Sequence, residues 1–229
     1  MASGCALPEA ALPRRIAVLV SGRGSNLQAI LDAIATGELA AEIVGVFSDK
    51  AGAPALQRAR DAGIAATALS PKAFASREAF DAAFFAAVDA VAPDLIVCAG
   101  YMRIISAAEI ERRPDRMINL HPSLLPAFKG LHTHRQALAA GVAEHGTSVH
   151  VVTPGLDDGP VIAQARVPVL PGDDEAALAA RVRAIEHPLL IESVRLLASG
   201  RLRLSGGRIF LNDAPLAVPL QPAATPPSA

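Results

Sequence analysis

The stretch IAVLVSGRGSNLQAILDAIA, from Ile16 to Ala35, decides the fold. Ile16 to Val20 is a short apolar run rich in β-branched residues, the pattern of a strand buried on both faces. Leu27 to Ala35 reads as a helix. Between them Ser21-Gly22-Arg23-Gly24-Ser25-Asn26 makes a glycine-rich turn. Outward from this unit the pattern repeats. Ile43 to Phe47, Leu95 to Ala99 and Met117 to Leu120 read as further buried strands, and Ala53 to Ala62 and Phe74 to Val91 as helices. In the last helix Phe74, Ala75, Ala79, Phe80, Ala83 and Phe84 keep helical spacing on one face. Ser76 offers an alternative start inside it. Strand alternating with helix to about residue 120 predicts right-handed crossovers and a parallel sheet. The expected class is α/β: an open, mostly parallel, twisted sheet with helices on both faces, of Rossmann type.

After residue 120 the pattern changes. Gly146 to Val152 and Val161 to Val169 read as strands joined by the loop Thr153 to Pro160, a pairing open to an antiparallel arrangement. Asp173 is expected to cap a helix running to about Leu197, with Asp174 and Glu175 on its positive end. Gly206-Gly207 between alternating segments signals a hairpin over Arg201 to Leu211. No repeat or linker divides the chain. The expected organisation is a loose extension over residues 1–13, one domain over 14–211, and a disordered Pro/Ala-rich tail over 212–229.

Composition narrows the function. Apolar residues make up 52% of the 229 and charged residues 19%, which excludes disorder over most of the length. A net charge of −1 provides no field to hold nucleic acid by its backbone. Cys5 and Cys98 lie too far apart for a disulfide scaffold or a cysteine-based zinc site and suit a reducing compartment. No apolar run is long enough for a membrane span, and Met1 to Arg15 lacks the apolar stretch of a secretory signal. The reading is a cytoplasmic chain acting on small molecules, with neither nucleic acid nor membrane as partner. Monomer and homodimer both stay open.

Three segments could carry chemistry. The Ser21–Asn26 turn sits where a first strand meets a first helix, and free N–H groups at that helix end suit a phosphate. It lacks the lysine of a Walker A loop, and Leu27 stands where a dinucleotide fingerprint has its third glycine. Asp49, at the end of the second strand, could still serve as a ribose-binding acid, which keeps a nicotinamide reading alive beside a plain tight turn. The second segment is Asn119-Leu120-His121-Pro122-Ser123-Leu124-Leu125-Pro126, at the C-terminal end of a parallel strand, where open sheets bind ligands. Strand alternation puts Asn119 and His121 on one side, an amide donor beside a titrating imidazole, as an oxyanion and a proton transfer require. A hydrogen-bonded structural histidine is the alternative. The third is Leu156-Asp157-Asp158-Gly159-Pro160, where a carboxylate could orient a histidine and raise its pKa, or merely make a turn. His132-x-His134 lacks the spacing and the further ligands of a zinc site, so no metal is expected. His145 and His150 read as structural, and Arg112, Arg113 and Arg116 as a solvated helix end.

Taken together, these segments resemble the folate-dependent formyltransferases, and within them the branch that formylates glycinamide ribonucleotide in purine biosynthesis. The resemblance covers about residues 14 to 211. It rests on Val20 to Leu27, Ala99-Gly100-Tyr101-Met102-Arg103-Ile104-Ile105, Ile118 to Pro126, His145-Gly146-Thr147-Ser148-Val149-His150 and Leu156 to Pro160. It implies 10-formyltetrahydrofolate as formyl donor and an amine as acceptor, with no metal. His121 would be the general acid/base, Asn119 the oxyanion donor, and Asp157 the group that holds His121 charged. Gly24, Ser25 and Asn26 would take the ribonucleotide phosphate, completed by Arg183 and Glu186. The folate would lie against Met102, Arg103, Ile104, Ile105, Asn119 and the loop Thr153, Pro154, Gly155, Leu156 and Asp157, with Arg77 nearby. Tyr101 stands where the family pattern has Phe, and Asp158 adds a second carboxylate. Two other branches share Asn-x-His…Asp: a deformylase with an extra N-terminal domain and a tRNA-directed enzyme with a basic C-terminal one. Length disfavours both, and the net charge of −1 also weighs against the tRNA-directed one.

Overall fold

The computed structural model describes residues 13–222. At its centre is a seven-stranded sheet in the order β3-β2-β1-β4-β5-β6-β7. The strands are β1 (Arg14–Val20), β2 (Ala41–Ser48), β3 (Ala66–Ala68), β4 (Leu95–Cys98), β5 (Met117–His121), β6 (Glu144–Val151) and β7 (Val161–Pro168). The first five run parallel, while β6 is antiparallel to both β5 and β7. The helices are α1 (Ser25–Ala35), α2 (Pro54–Asp61), α3 (Arg77–Asp89), α4 (Ala107–Glu111), α5 (Thr133–Ala139) and α6 (Glu175–Ala198). Among the described residues no helix is long and apolar enough to cross a membrane.

The alternation of β1 shows why helices lie on both faces. Ile16, Val18 and Val20 point into a core shared with Leu27 and Ile30 of α1, Leu56 of α2 and Leu190 and Val194 of α6. Ala17 and Leu19 point the other way, into a core filled by Phe80, Phe84 and Phe85 of α3. Each of these phenylalanines is fully buried, contributing about 1.5–3 kcal/mol apiece.

Several sequence expectations shift. Ser76 is the cap of α3, its Oγ accepting the Ala79 N–H at 3.1 Å, so Phe74 lies outside the helix and packs edge-on against Phe80. The cap of α6 is Asp174, which accepts from Ala177 N–H at 2.7 Å. Asp173 instead pairs with both guanidinium nitrogens of Arg181, at 2.6 and 2.9 Å. Arg113 is no solvated helix end. It is buried, stacked on Phe85 and ion-paired to Glu109 at 2.7 Å and to Asp89. The hairpin is formed by β8 (Leu202–Ser205) and β9 (Arg208–Leu211), with positive φ at both Gly206 and Gly207, as its tight turn requires.

The Pro/Ala-rich tail expected from residue 212 is structured at its start. Strand β10 (Ala214–Pro215) pairs with β9. Leu220 N–H donates to Ile162 O at 2.9 Å, and Gln164 N–H donates to Leu220 O at 2.8 Å. These are main-chain bonds, which composition does not reveal. The remainder of the expected tail, 223–229, and residues 1–12 of the expected extension lie outside the described residues.

Candidate active site

The strand order reverses between β1 and β4, and open α/β sheets bind ligands at the C-terminal strand ends around such a point. Four loops meet there: Ser21 after β1, Asp49 after β2, Gly100 after β4, and the end of β5 at His121.

The glycine turn is held from the side of α2. Ala55 N–H donates to Gly22 O at 3.1 Å and Arg58 Nε donates to Arg23 O at 2.9 Å. Gly24 precedes α1 at φ 76°, and a Cβ there would come within 2.6 Å of Ala55 Cβ, so both backbone and space require glycine. The first turn of α1 carries no acidic residue. Its free N–H groups therefore present uncompensated positive charge to an anion. Asn26 Oδ1 is buried without a partner. Asp49, the alternative ribose acid, is itself buried and accepts the Ser21 hydroxyl at 2.6 Å. It is committed to the turn, which removes the group a nicotinamide reading needs.

Beside the turn opens a cavity of about 650 Å³, within the usual range for small-molecule sites. Met102, Arg103, Ile104 and Ile105 form one wall and Thr153 to Asp157 another, with Asn119, His121 and His150 between them. Met102, Ile104, Leu131 and Leu156 expose their apolar side chains at its rim. A shallower groove of about 940 Å³ lies at the opposite end of the sheet, lined by Arg15, Glu42 and Arg58 among others, far from these histidines.

The polar centre is built across two antiparallel strands, whose register sets Asn119 opposite His150. His150 Nδ1 donates to Val151 O at 3.0 Å, so in the neutral ring Nε2 accepts from Asn119 Nδ2 at 3.1 Å. His121 Nε2 donates to Phe128 O at 3.1 Å, and its Nδ1 stands 3.4 Å from Asp157 Oδ2. The other carboxylate oxygen of Asp157 is 3.6 Å from His150 Nε2, and Gly130 N–H donates to Oδ2 at 2.9 Å. His150, read from sequence as structural, thus belongs to the site. Its position opposite Asn119 was the available signal, once β6 is paired antiparallel to β5.

The electrostatics differ from the sequence expectation in one respect. Burial pushes the His121 pKa down. The Phe128 carbonyl and the Asp157 charge push it up, the nearby His150 pushes it down, and the net direction is downward. Asp157 favours the charged ring without holding it charged. Burial opposes ionisation of Asp157, yet the adjacent His150 ring, the Gly130 N–H and the nearby His121 bring its pKa below the usual carboxylate value. Asp158 is exposed, faces away and pairs with Lys129. Asp157 takes a positive φ of 45°, which turns the two neighbouring carboxylates apart.

The other candidates fall around this centre. Arg183 and Glu186 lie on α6, which packs against α1, outside the cavity lining. Burial pushes the Glu186 pKa up, and Arg183 opposes this. Arg77 also lies off the cavity wall, its Nε 3.9 Å from Asp81. His134 is engaged with His145, Nδ1 to Nε2 at 3.1 Å, and His132 precedes α5 in a left-handed conformation. Among the described residues no cluster of three or more His, Cys, Asp or Glu is placed to hold a metal.

Known proteins share this arrangement of sequence and fold. The profile of the family described as formyl transferase matches residues 14–194. The chain is 51% identical over 197 residues to phosphoribosylglycinamide formyltransferase of Escherichia coli (strain K12), covering 86% of this chain and 93% of that protein. It is 40% identical over 190 residues to the trifunctional purine biosynthetic protein adenosine-3 of Homo sapiens, spanning 83% of this chain but only 19% of that longer one. The solved phosphoribosylglycinamide formyltransferase of Coxiella burnetii matches with a TM-score of 0.87 at 45% identity, over 91% of this chain and 99% of that one. With a parallel sheet that ends in an Asn-His-Asp centre beside a glycine turn, and with these likenesses over most of its length, the chain belongs to the formyl transferase family.

Proposed function

We propose that the chain transfers the formyl group of 10-formyltetrahydrofolate to the amine of glycinamide ribonucleotide, giving formylglycinamide ribonucleotide and tetrahydrofolate, a step of purine biosynthesis. The observation that carries this reading is the convergence of Asn119, His121, His150 and Asp157 in a cavity that adjoins a helix N-terminus free of acidic residues. A cytoplasmic location is part of the same reading and is supported by the cysteine content.

The residues present fit both substrates. The wall from Met102 to Ile105 and the loop Thr153 to Asp157 give an apolar slot with main-chain polar groups for a folate, and Arg103 Nε is buried there without a partner. When bound, the folate supplies an electrophilic formyl carbon. Gly24, Ser25 and Asn26 offer N–H groups for the ribonucleotide phosphate, Arg183 adds positive charge, and Glu186 accepts from ribose hydroxyls.

Within that frame each group has one task. Asn119 spends one amide hydrogen on His150, which fixes the amide plane and leaves the second to stabilise negative charge developing on the formyl oxygen. His121, buried and neutral near pH 7, is the form able to take up a proton. On protonation both ring nitrogens carry hydrogen: Nε2 faces the Phe128 carbonyl and Nδ1 faces Asp157 Oδ2, which stabilises the imidazolium. Gly130 holds that carboxylate in place.

The test is consumption of 10-formyltetrahydrofolate followed with and without glycinamide ribonucleotide. The reading requires consumption that depends on the ribonucleotide. Equal rates in its absence would point to water as acceptor and overturn it.

A further inference from the structure

Ser21 connects three strand ends. Its N–H donates to Gly100 O at 3.0 Å. Its hydroxyl donates to Asp49 Oδ1 at 2.6 Å, and the same oxygen accepts the Met102 N–H at 2.9 Å. Both residues are buried, Ser21 at 4% exposure and Asp49 at 7%. Strands β2, β1 and β4 are neighbours in the sheet, so these bonds tie their C-terminal ends across the point where strand order reverses. On one side the tie continues into the Gly22–Asn26 turn; on the other it enters the Gly100–Ile105 wall of the cavity. The Met102 side chain is 64% exposed and gives that wall little anchorage. Its backbone bond to Ser21 provides it instead.

Resting on the formyl-transfer reading, we infer that Asp49 and Ser21 form a positioning pair that sets the ribonucleotide turn and the folate wall at a fixed separation, so that both substrates depend on it. Neither residue touches reacting atoms. The carboxylate matters because it only accepts. It draws the Ser21 hydrogen toward itself and leaves a hydroxyl lone pair directed at Met102. Without it the hydroxyl is free to rotate, and the bond to the cavity wall is lost. Asparagine, which also offers an acceptor oxygen, keeps the arrangement.

The experiment compares Asp49→Ala, Asp49→Asn and Ser21→Ala with the wild type, measuring kcat and both KM values. Asp49→Ala raises the KM of glycinamide ribonucleotide and that of 10-formyltetrahydrofolate together, each about five- to tenfold, the loss of one well-made buried hydrogen bond. Its kcat stays within about twofold. Asp49→Asn restores both KM values, and Ser21→Ala reproduces the double rise even if Asp49→Ala folds poorly. A merely structural role would instead lower melting temperature and kcat with KM values unmoved. That result, a rise in only one KM, or an Asn variant as impaired as the Ala variant would overturn the inference alone. A wild type that consumes no formyl donor in the presence of the ribonucleotide would overturn the formyl-transfer reading, and the inference with it.

Discussion

At the scale of single residues the proposed proton transfer turns on how His121 balances burial against Asp157. Burial prevails, so the ring rests neutral, and removing it should cost the proton-transfer contribution alone. His121→Ala is expected to lower kcat by about 10²- to 10⁴-fold with both KM values little changed, as steady-state kinetics will show. Asp157→Asn removes the charge that favours the imidazolium. The His121 pKa then falls further, the acid limb of the pH–rate profile moves to lower pH, and kcat drops steeply. Asp158→Asn should leave the profile in place, because the Lys129–Asp158 pair is exposed and such pairs contribute about 0–1 kcal/mol. Damage from Asp158→Asn with a mild Asp157→Asn would reverse the assignment. From sequence the adjacent carboxylates were separable only by the family pattern. The physical discriminator is the positive φ of Asp157, a backbone property that the residue type merely permits.

At the scale of elements, the strand–turn–helix unit from β1 to α1 was the most legible part, because an apolar strand buried on both faces leaves a clear mark. What escaped was short or relational. Strand β3, with 3 residues, and α4, with 5, are too brief for any period to register. The choice of Asp174 over Asp173 as the α6 cap depends on Arg181 engaging the other. The place of His150 beside Asn119 is set only once β6 lies antiparallel to β5, a pairing that its own residue type does not signal. The turn gives the prediction at this scale. Gly24→Ala must either hold a left-handed alanine or push α2 away through the contact with Ala55. It is expected to destabilise the chain by about 1–3 kcal/mol in urea titration and to raise the KM of the ribonucleotide more than that of the folate. A rise in the folate KM alone would place the phosphate elsewhere.

For the whole molecule, the α/β class and the parallel order followed from alternating strands and helices, whereas the structured start of the tail depends on main-chain pairing with β7 and β9. The buried His145 links the fold to pH. Burial, with His134 and His121 nearby, brings its pKa from 6.5 to about 4. The unfolded chain then binds the proton that the folded chain refuses. Stability is full above pH 6.5 and is lost as pH falls toward about 4, by on the order of 3 kcal/mol. Urea midpoints measured across this window should decline, and His145→Gln should flatten the decline; an unchanged slope in the variant would assign it to other groups. In the proposed reaction the formyl carbon passes to the amine of glycinamide ribonucleotide. This transfer is tested most directly by supplying 10-formyltetrahydrofolate labelled with carbon-13 in the formyl group and identifying the products by mass spectrometry. Formyl transfer to the amine puts the label on formylglycinamide ribonucleotide, in step with the tetrahydrofolate formed. Label recovered as free formate, with the ribonucleotide unmodified, would contradict it.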